Sequence, residues 1–318
     1  MHHILSHIAI MDKANNGMNN WIEGIPYELA FWNNLYRWRW TYEGLLSWSN
    51  YGKELRLEGI DARSVLLSAT TATAATSRSG KPIVLDVGAG MSYAPGNFYL
   101  NGTEKQEIDI RYIDPLAFHY NRILKKRRKN LPEVTFGVAE YLSSCVADEA
   151  DLVIIQNALD HSFAPIKGII EALRTLHTGG FLYLNHHPNE AETEDYKGFH
   201  KFNICEEHGK LIIWNKESRR DVNELLNGFA TIDVKTVENG HIVALIKKTA
   251  EVPASLYDDK ASIRELCHSN HLLFYQVYSG HLSMKLKCSY AFYNFIQFFV
   301  QALPHNLKIK LKKLIKQA

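Results

Sequence analysis

Cysteine is scarce in this chain. Its 318 residues hold four, Cys145, Cys205, Cys267 and Cys288, far apart and with no CxxC pair. That excludes a disulfide framework or a zinc ribbon and fits a reducing compartment. A long apolar run is also missing. The longest, roughly Cys288 to Leu303, is interrupted by Asn294, Gln297 and Gln301, and is too short and too polar for a membrane span. The N-terminus, MHHILSHIAIMDKANN, has no Lys or Arg before its short apolar stretch and soon meets Asp12. It makes a poor secretory signal, so a cytoplasmic protein is expected. Net charge is nearly absent, with 36 Lys and Arg against 34 Asp and Glu. Acids, however, are wholly lacking from residues 281 to 318, which carry seven lysines. The near-neutral total therefore joins a mildly acidic body to a strongly basic tail. With 46% hydrophobic and 22% charged residues, general disorder is excluded, and the length suits one large domain with additions, or two domains.

No internal repeat is visible. Residues 67 to 80, LSATTATAATSRSG, read as a linker or long loop. Beyond them strand-like and helical runs alternate. Pro82–Val87, Glu107–Ile113, a weak Val134–Val138, Asp151–Ile155 and Phe181–Leu184 read as strands. A helix is expected from Pro115 to about Lys129. Another is marked by Ile166, Ile169, Ile170, Leu173 and Leu176 at helical spacing, opened by Pro165 and closed by Gly179-Gly180. The alternation predicts a parallel sheet with helices on both faces. Thr231–Val237 and His241–Lys247 flank Asn239-Gly240, which predicts a final antiparallel hairpin.

The first strand runs into VLDVGAG, Val84–Gly90. Gly88 and Gly90 let a ligand approach the backbone at the carboxyl edge of the sheet, where open α/β sheets bind. Asp86 just before them suits a cationic group. A dinucleotide fingerprint needs a third glycine and a helix behind it; here the position is Tyr93, and Pro95-Gly96 follow. A pyrophosphate site, and with it a nicotinamide-dependent oxidoreductase, is disfavoured. Asp114 ends the second strand, placed both to accept from ribose hydroxyls and to cap a helix opening with Pro115. The fourth strand runs into QNALDHSFAP, Gln156–Pro165, which concentrates Asn157, Asp160 and His161 at the crevice. His161 is a candidate general base.

These segments resemble the Rossmann-like class I S-adenosylmethionine-dependent methyltransferases, and more narrowly bacterial members associated with cell-surface polysaccharide biosynthesis. VLDVGAG, YIDPLAFHYN (112–121), VAEYL (138–142), NALDHSFAP (157–165), NEAETEDYKGFHKFN (189–203) and an upstream EGIPYELAFW (23–32) carry the likeness over roughly residues 20 to 248. The resemblance implies a mostly parallel sheet ending in the antiparallel hairpin, with helices on both faces. It divides the chain into a helical N-terminal cap and linker (1–79), a cofactor-binding methyltransferase domain (80–249) and a helical C-terminal region with a basic amphipathic tail (250–318). It implies S-adenosyl-L-methionine as cofactor. Asp86, Gly88, Ala89 and Gly90 would lie by its methionine part, Asp114 and Pro115 by the ribose, Ala139 and Glu140 by the adenine, and Gln156 and Asn157 around the sulfonium. Pro95-Gly96 falls where the family starts its first helix, and the gap from Asp86 to Asp114 is longer than in many members.

Methyl transfer to a hydroxyl needs alignment and a base. The candidates are His161, His200 and Glu190. His186 and His187 follow the same strand edge, but the spacing of these residues matches no defined metal set, so no metal is expected. The acceptor implied by the resemblance is a saccharide or lipid-linked glycan precursor. DNA amine methylation is disfavoured, because Gln156-Asn157-Ala158-Leu159 stands in place of a [DNS]PP[YFW] segment. A catalytically silent binding protein that keeps the pocket is the rival.

Five of six tryptophans, Trp21, Trp32, Trp38, Trp40 and Trp48, fall within 28 residues. Leu29, Trp32 and Tyr36 share a helical face with Pro26 near the helix start. They read as a cap packed on the sheet domain, or as stacking surfaces for a sugar. Lys125–Lys129 (KKRRK) closes a helix, where cations complement its dipole. Cys267, His268 and His271 make only part of a metal set. After Pro304, Leu307, Leu311, Leu314 and Ile315 share one helical face and Lys308, Lys312, Lys313 and Lys316 the other. With the aromatic run before it, this tail reads as an anchor on an anionic membrane surface, peripheral on the inner face, with no nucleic-acid partner; the alternative is a helix packed on its own domain or on a second copy.

Overall fold

The computed structural model describes residues 21–74, 80–127, 129–147, 149–196, 198–257, 280–303 and 307. The basic tail beyond 307 and the Cys267-His268-His271 group lie outside the described residues.

Strands of β-branched and aliphatic residues form the centre. They are β1 Ile83–Val87, β4 Asp109–Asp114, β5 Thr135–Phe136, β6 Ala150–Gln156, β7 Leu176–His186, β11 Ala230–Thr236 and β12 Ile242–Lys248. They lie in the order β11-β12-β7-β6-β1-β4-β5. Strands β1, β4, β5, β6 and β7 run parallel, while β12 pairs antiparallel with β7 and β11 antiparallel with β12. The predicted sheet and its closing hairpin, turned at Asn239-Gly240, are both present.

Strand β1 is buried along its whole length, so its side chains alternate into two cores. Leu85 and Val87 join Val153, Ile155, Leu182 and Leu184 under helix α6, Pro165–Thr175. Leu173 of α6 is fully buried, worth roughly 1.5–3 kcal/mol. On the opposite face Val84, Leu152, Ile154 and Tyr183 pack against Leu66 and Ala69 of α3, Ala62–Ala74. That helix overturns the linker expected at 67–80 as far as residue 74. Small Ala and Thr side chains let it lie close on the sheet, and Gly179 of β7 leaves room for it: a Cβ there would stand 2.7 Å from that of Ala72.

Two further expectations are corrected. Gly179-Gly180 does not close α6, which ends at Thr175 and passes directly into β7. Glu107–Ile113 is not one strand. Residues Glu104–Glu107 (β3) pair with Phe98–Asn101 (β2) in a separate ribbon before β4 begins. The stretch after β1 makes no helix because it is used otherwise. Leu55 donates to the Phe98 carbonyl at 2.7 Å, and Asn97 to the Lys53 carbonyl at 3.1 Å. A third, antiparallel sheet is formed by β8 Asn203–Glu207, β9 Lys210–Trp214 and β10 Arg219–Asp221.

The N-terminal region is helical over 21–35 (α1) and Arg39–Trp48 (α2). Pro26 thus lies inside α1 rather than at its start. The cap packs as expected. Trp21 stacks on Phe199 with ring centroids 5.2 Å apart, and Trp32 meets Tyr120 edge-on at 6.3 Å. Helix α4, Ala117–Arg127, ends in Lys125, Lys126 and Arg127, and Arg127 donates to the Asn33 side chain at 2.8 Å.

Helix α9 (Met284–Ala302) is inside out. Its buried residues are Leu286, Gln297 and Gln301. The Asn294 side chain accepts from Asn33 and Asn34 of α1 at 2.7 and 3.0 Å. Phe292, Phe295, Ile296 and Phe299 share the opposite face and are exposed. Among the described residues no helix is long and apolar enough to cross a membrane.

Gly96 tests the seam between residues 50–55 and 95–98. A Cβ built there would stand 2.3 Å from Glu54 carbonyl atoms and 2.4 Å from the Leu55 nitrogen, backbone atoms that cannot rotate away. Gly96→Ala is expected to destabilise the chain by about 1–3 kcal/mol in urea unfolding. An unchanged midpoint would contradict this packing.

Candidate active site

The sheet reverses its order between β1 and β6, so the crevice outside their carboxyl ends is the ligand position of an open α/β sheet. The glycine loop lies there. Gly88 (φ 71°) and Gly90 (φ 54°) adopt the left-handed region that favours glycine. A Cβ on Gly88 would stand 2.3 Å from that of Ala158, and one on Gly90 would stand 2.8 Å from the Trp32 ring. Close approach is thus required already by the chain's own side chains.

Three successive N–H groups of this loop fold back onto β4. Gly88 and Ala89 donate to the Ile113 carbonyl at 2.8 and 3.1 Å, and Gly90 donates to Asp114 Oδ2 at 3.0 Å. Asp114 Oδ1 accepts from Leu116 N at 2.8 Å. The predicted capping by Asp114 is therefore seen, one residue past Pro115, and α4 begins at Ala117. A phosphate cradle needs N–H groups turned outward at a helix N-terminus; here they are engaged, and no helix follows. Tyr93 is buried, with its hydroxyl donating to the Pro132 carbonyl at 2.6 Å.

Carboxylates crowd the crevice instead. Asp86 is buried and its Oδ2 has no hydrogen-bond partner. Burial, then the charge of Asp114, pushes its carboxyl up to about 8. Burial raises Asp114 to about 6, against the pull of its two N–H donors. Glu140, buried, accepts from Phe163 N and Ala164 N at 2.8 and 3.1 Å just before α6, and burial raises its carboxyl. Ala139 faces Gly168 of α6.

Sequence reasoning missed Glu28. It lies on α1, accepts from Trp32 Nε1 at 2.6 Å, and is pushed up to about 7 by burial, with Asp114 and Asp160 adding to the rise. Its place inside EGIPYELAFW was the available signal; which way the helix turns it was not readable.

Gln156 lines a cavity of about 690 Å³ with Asn50, Glu58, Asp61, Arg63 and Asn185, beside rather than on the glycine loop. Asn157 (φ 46°) accepts through Oδ1 from His187 N at 3.1 Å, which pins β6 to the end of β7.

The three candidate bases do come together. His161 Nε2 is 3.2 Å from His200 Nδ1, and His200 Nδ1 is 2.8 Å from Asp160 Oδ2 and 3.9 Å from Glu190 Oε2. Burial works to raise Asp160, but His161, His200 and His186 overcome it and hold the carboxyl at about 2. Burial lowers His161. Burial works to lower His200, but its bond to Asp160 and the charges of Asp160, Glu190 and Glu194 together raise it. Burial raises Glu190.

Asp86 gives the site a pH signature. Its folded value lies above the unfolded 3.8, so its stabilising share is full below that value and is lost as pH rises through about 8. The limiting slope is about 1.4 kcal/mol per pH unit. Melting temperature is expected to fall between pH 6 and 9, and Asp86→Asn to flatten that fall. Parallel curves for the two proteins would refute the assignment.

No family model matches the chain, and no curated protein matches it. Solved structures similar to it include a S-adenosylmethionine-dependent methyltransferase from Clostridium acetobutylicum (12% identity, 60% of this chain and 94% of that one, TM-score 0.34). Another is a possible histamine N-methyltransferase from Thermotoga maritima (17%, 69% and 100%, 0.35). A third is an amino pentose methyltransferase from Micromonospora echinaspora (13%, 65% and 96%, 0.33). At these identities and TM-scores the likenesses say nothing of substrate or chemistry. The sheet carries the fold: five parallel strands closed by an antiparallel hairpin, with the glycine loop at the central strand, give this chain the Rossmann-like fold of the class I S-adenosylmethionine-dependent methyltransferases.

Proposed function

We propose that this chain transfers the methyl group of S-adenosyl-L-methionine to a hydroxyl of a saccharide or lipid-linked glycan precursor. The observation that supports it most is a crevice whose N–H groups are turned inward while Asp86, buried beside the glycine loop, keeps one carboxyl oxygen without a partner. Such a lining suits a cation and not a pyrophosphate. Bound there, the cofactor supplies an electrophilic methyl group on a positively charged sulfur. Asp86, Gly88, Ala89 and Gly90 would hold its methionine end, Asp114 and Pro115 the ribose, Ala139 and Glu140 the adenine, and Gln156 and Asn157 the space around the sulfur. Trp32 and Glu28 on α1 close this crevice from water.

The Asp160–His161–His200 cluster, with Glu190 beside it, is where the acceptor hydroxyl gives up its proton. The polar cavity at Gln156, Asn185, Glu58 and Arg63 suits a hydroxyl-rich acceptor. A lipid-linked acceptor is supported by the exposed phenylalanines of α9 and by the seven lysines of residues 281–318, which together fit an anionic membrane surface.

S-adenosylhomocysteine is expected to bind and NAD not to; the reverse would sink the reading in favour of an oxidoreductase. His161→Ala and His200→Ala are each expected to keep S-adenosylhomocysteine binding and to lower kcat by about 10²–10⁴-fold. Full turnover in both would remove the cluster from the reaction. In flotation assays the full chain is expected to rise with vesicles containing phosphatidylglycerol, less so at high salt, and not with phosphatidylcholine alone. Phe292→Ser with Phe295→Ser and Phe299→Ser should abolish flotation, and a parent that never floats overturns the membrane seat.

A further inference from the structure

Side chains from the ends of β6 and β7 and from the loop that follows β7 converge on one carboxylate. Asp160 and His161 follow β6, His186 ends β7, Glu190 opens the short helix α7 (Glu190–Thr193), and His200 precedes β8. A backbone bond from Lys201 N to the Asp160 carbonyl, 3.2 Å, fastens the last of these to the first.

At the centre three donor atoms stand in a triangle. Asp160 Oδ2 to His200 Nδ1 is 2.8 Å, His200 Nδ1 to His161 Nε2 is 3.2 Å, and His161 Nε2 to Asp160 Oδ2 is 3.5 Å. Ordinary hydrogen bonding does not account for it. A neutral imidazole carries one N–H, and a hydrogen on His200 Nδ1 that points at Asp160 cannot also serve His161. His161 Nε2 is then left with either a lone pair that no donor meets or only a long 3.5 Å approach to Asp160. Asp160 Oδ1 and both nitrogens of the fully buried His186 have no hydrogen-bond partner at all, although His186 Nδ1 lies 3.8 Å from Asp160 Oδ1. Several unpaired lone pairs around one buried carboxylate are costly without a positive charge.

We infer that Asp160, His161 and His200 bind one divalent transition-metal cation, with an open position toward the crevice. Bonds of about 2.0–2.1 Å to nitrogen and oxygen in a tetrahedral site put donors about 3.3 Å apart, within the 2.8–3.5 Å range of this triangle's edges. Two imidazoles and one carboxylate select a zinc- or manganese-like ion over magnesium or calcium. The side chain of Asp160 is 4% exposed, while His161, His200 and Glu190 are 24–26% exposed. The carboxylate therefore closes the floor, and the side toward Glu190 stays open to an oxygen ligand. Spacing along the chain hides this set, because the contacts are made across the fold.

The inference deepens the methyl-transfer reading without depending on it for its test. An acceptor hydroxyl on the cation loses its proton more readily. The O–H bond breaks with the proton passing to Glu190, the oxygen bonds the methyl carbon, and the carbon–sulfur bond breaks to leave a neutral thioether.

The test uses the full-length chain, freed of metal with chelator and titrated with Zn²⁺ and separately with Mn²⁺ by calorimetry. No methyl donor or acceptor is present. One equivalent per chain is expected for at least one ion, and Co²⁺ in its place should show visible d–d absorption. His161→Ala and His200→Ala should each weaken binding about 100-fold or more. His208→Ala, in the exposed turn between β8 and β9, should leave it unchanged. A wild-type chain with no bound equivalent overturns the site, and so does undiminished binding in both the His161 and His200 variants. S-adenosylhomocysteine binding, measured on the metal-free chain, reports on the methyl-transfer reading separately.

Discussion

A carboxylate taken out of water must find N–H donors or a positive charge, and this constraint organises the whole carboxyl edge of the sheet. Among the described residues Asp86, Asp114, Glu140 and Asp160 are buried there, and they meet it in different ways. Asp114 uses two backbone N–H groups and in doing so ties the glycine loop of β1 to β4. Glu140 uses two more and fixes the entry to α6. Asp160 gathers imidazoles from three segments. Asp86 keeps one oxygen with no partner. The first two acids build the fold. The last two leave unmet demand for positive charge, and that residue of demand is the physical content of the site.

The covering helix makes the demand local. Water would relieve Asp86 at once, but Trp32 over Gly90 and the Trp21–Phe199 stack keep the edge closed. The glycines serve this closure as directly as they would serve a ligand. A side chain at position 88 or 90 would strike Ala158 or Trp32 before anything else.

Features written in adjacent residues were legible in the sequence. The strand periodicities, the Asn239-Gly240 hairpin, the glycine loop and the Asp160-His161 pair all belong to this kind. Helix α3 was hidden because Ala and Thr at 69–74 look like a linker until a sheet is laid against them. The ribbon of β2 and β3 was hidden because its strands are short and polar, and Gly96 carries the only local mark of the seam beside it. Glu28 and the triangle around Asp160 were hidden for a different reason. Their neighbours are set by tertiary contacts, and no spacing along the chain encodes those. Helix α9 is a case in which polarity alone misleads. Its polar stripe of Asn294, Gln297 and Gln301 reads as the solvent side, yet it is the side that docks.

The clasp between α1 and α9 also fixes an order in time. Asn33 and Asn294 are 261 positions apart in sequence. At a ribosomal rate of about 5–20 residues per second, the first waits on the order of tens of seconds for the second to be made. Trp21 waits a shorter time, until its stacking partner Phe199 is made. The helix that seals the site is synthesised early and seated late. The newborn chain therefore carries a sticky aromatic segment, of the kind a holdase chaperone recognises, until these partners are made.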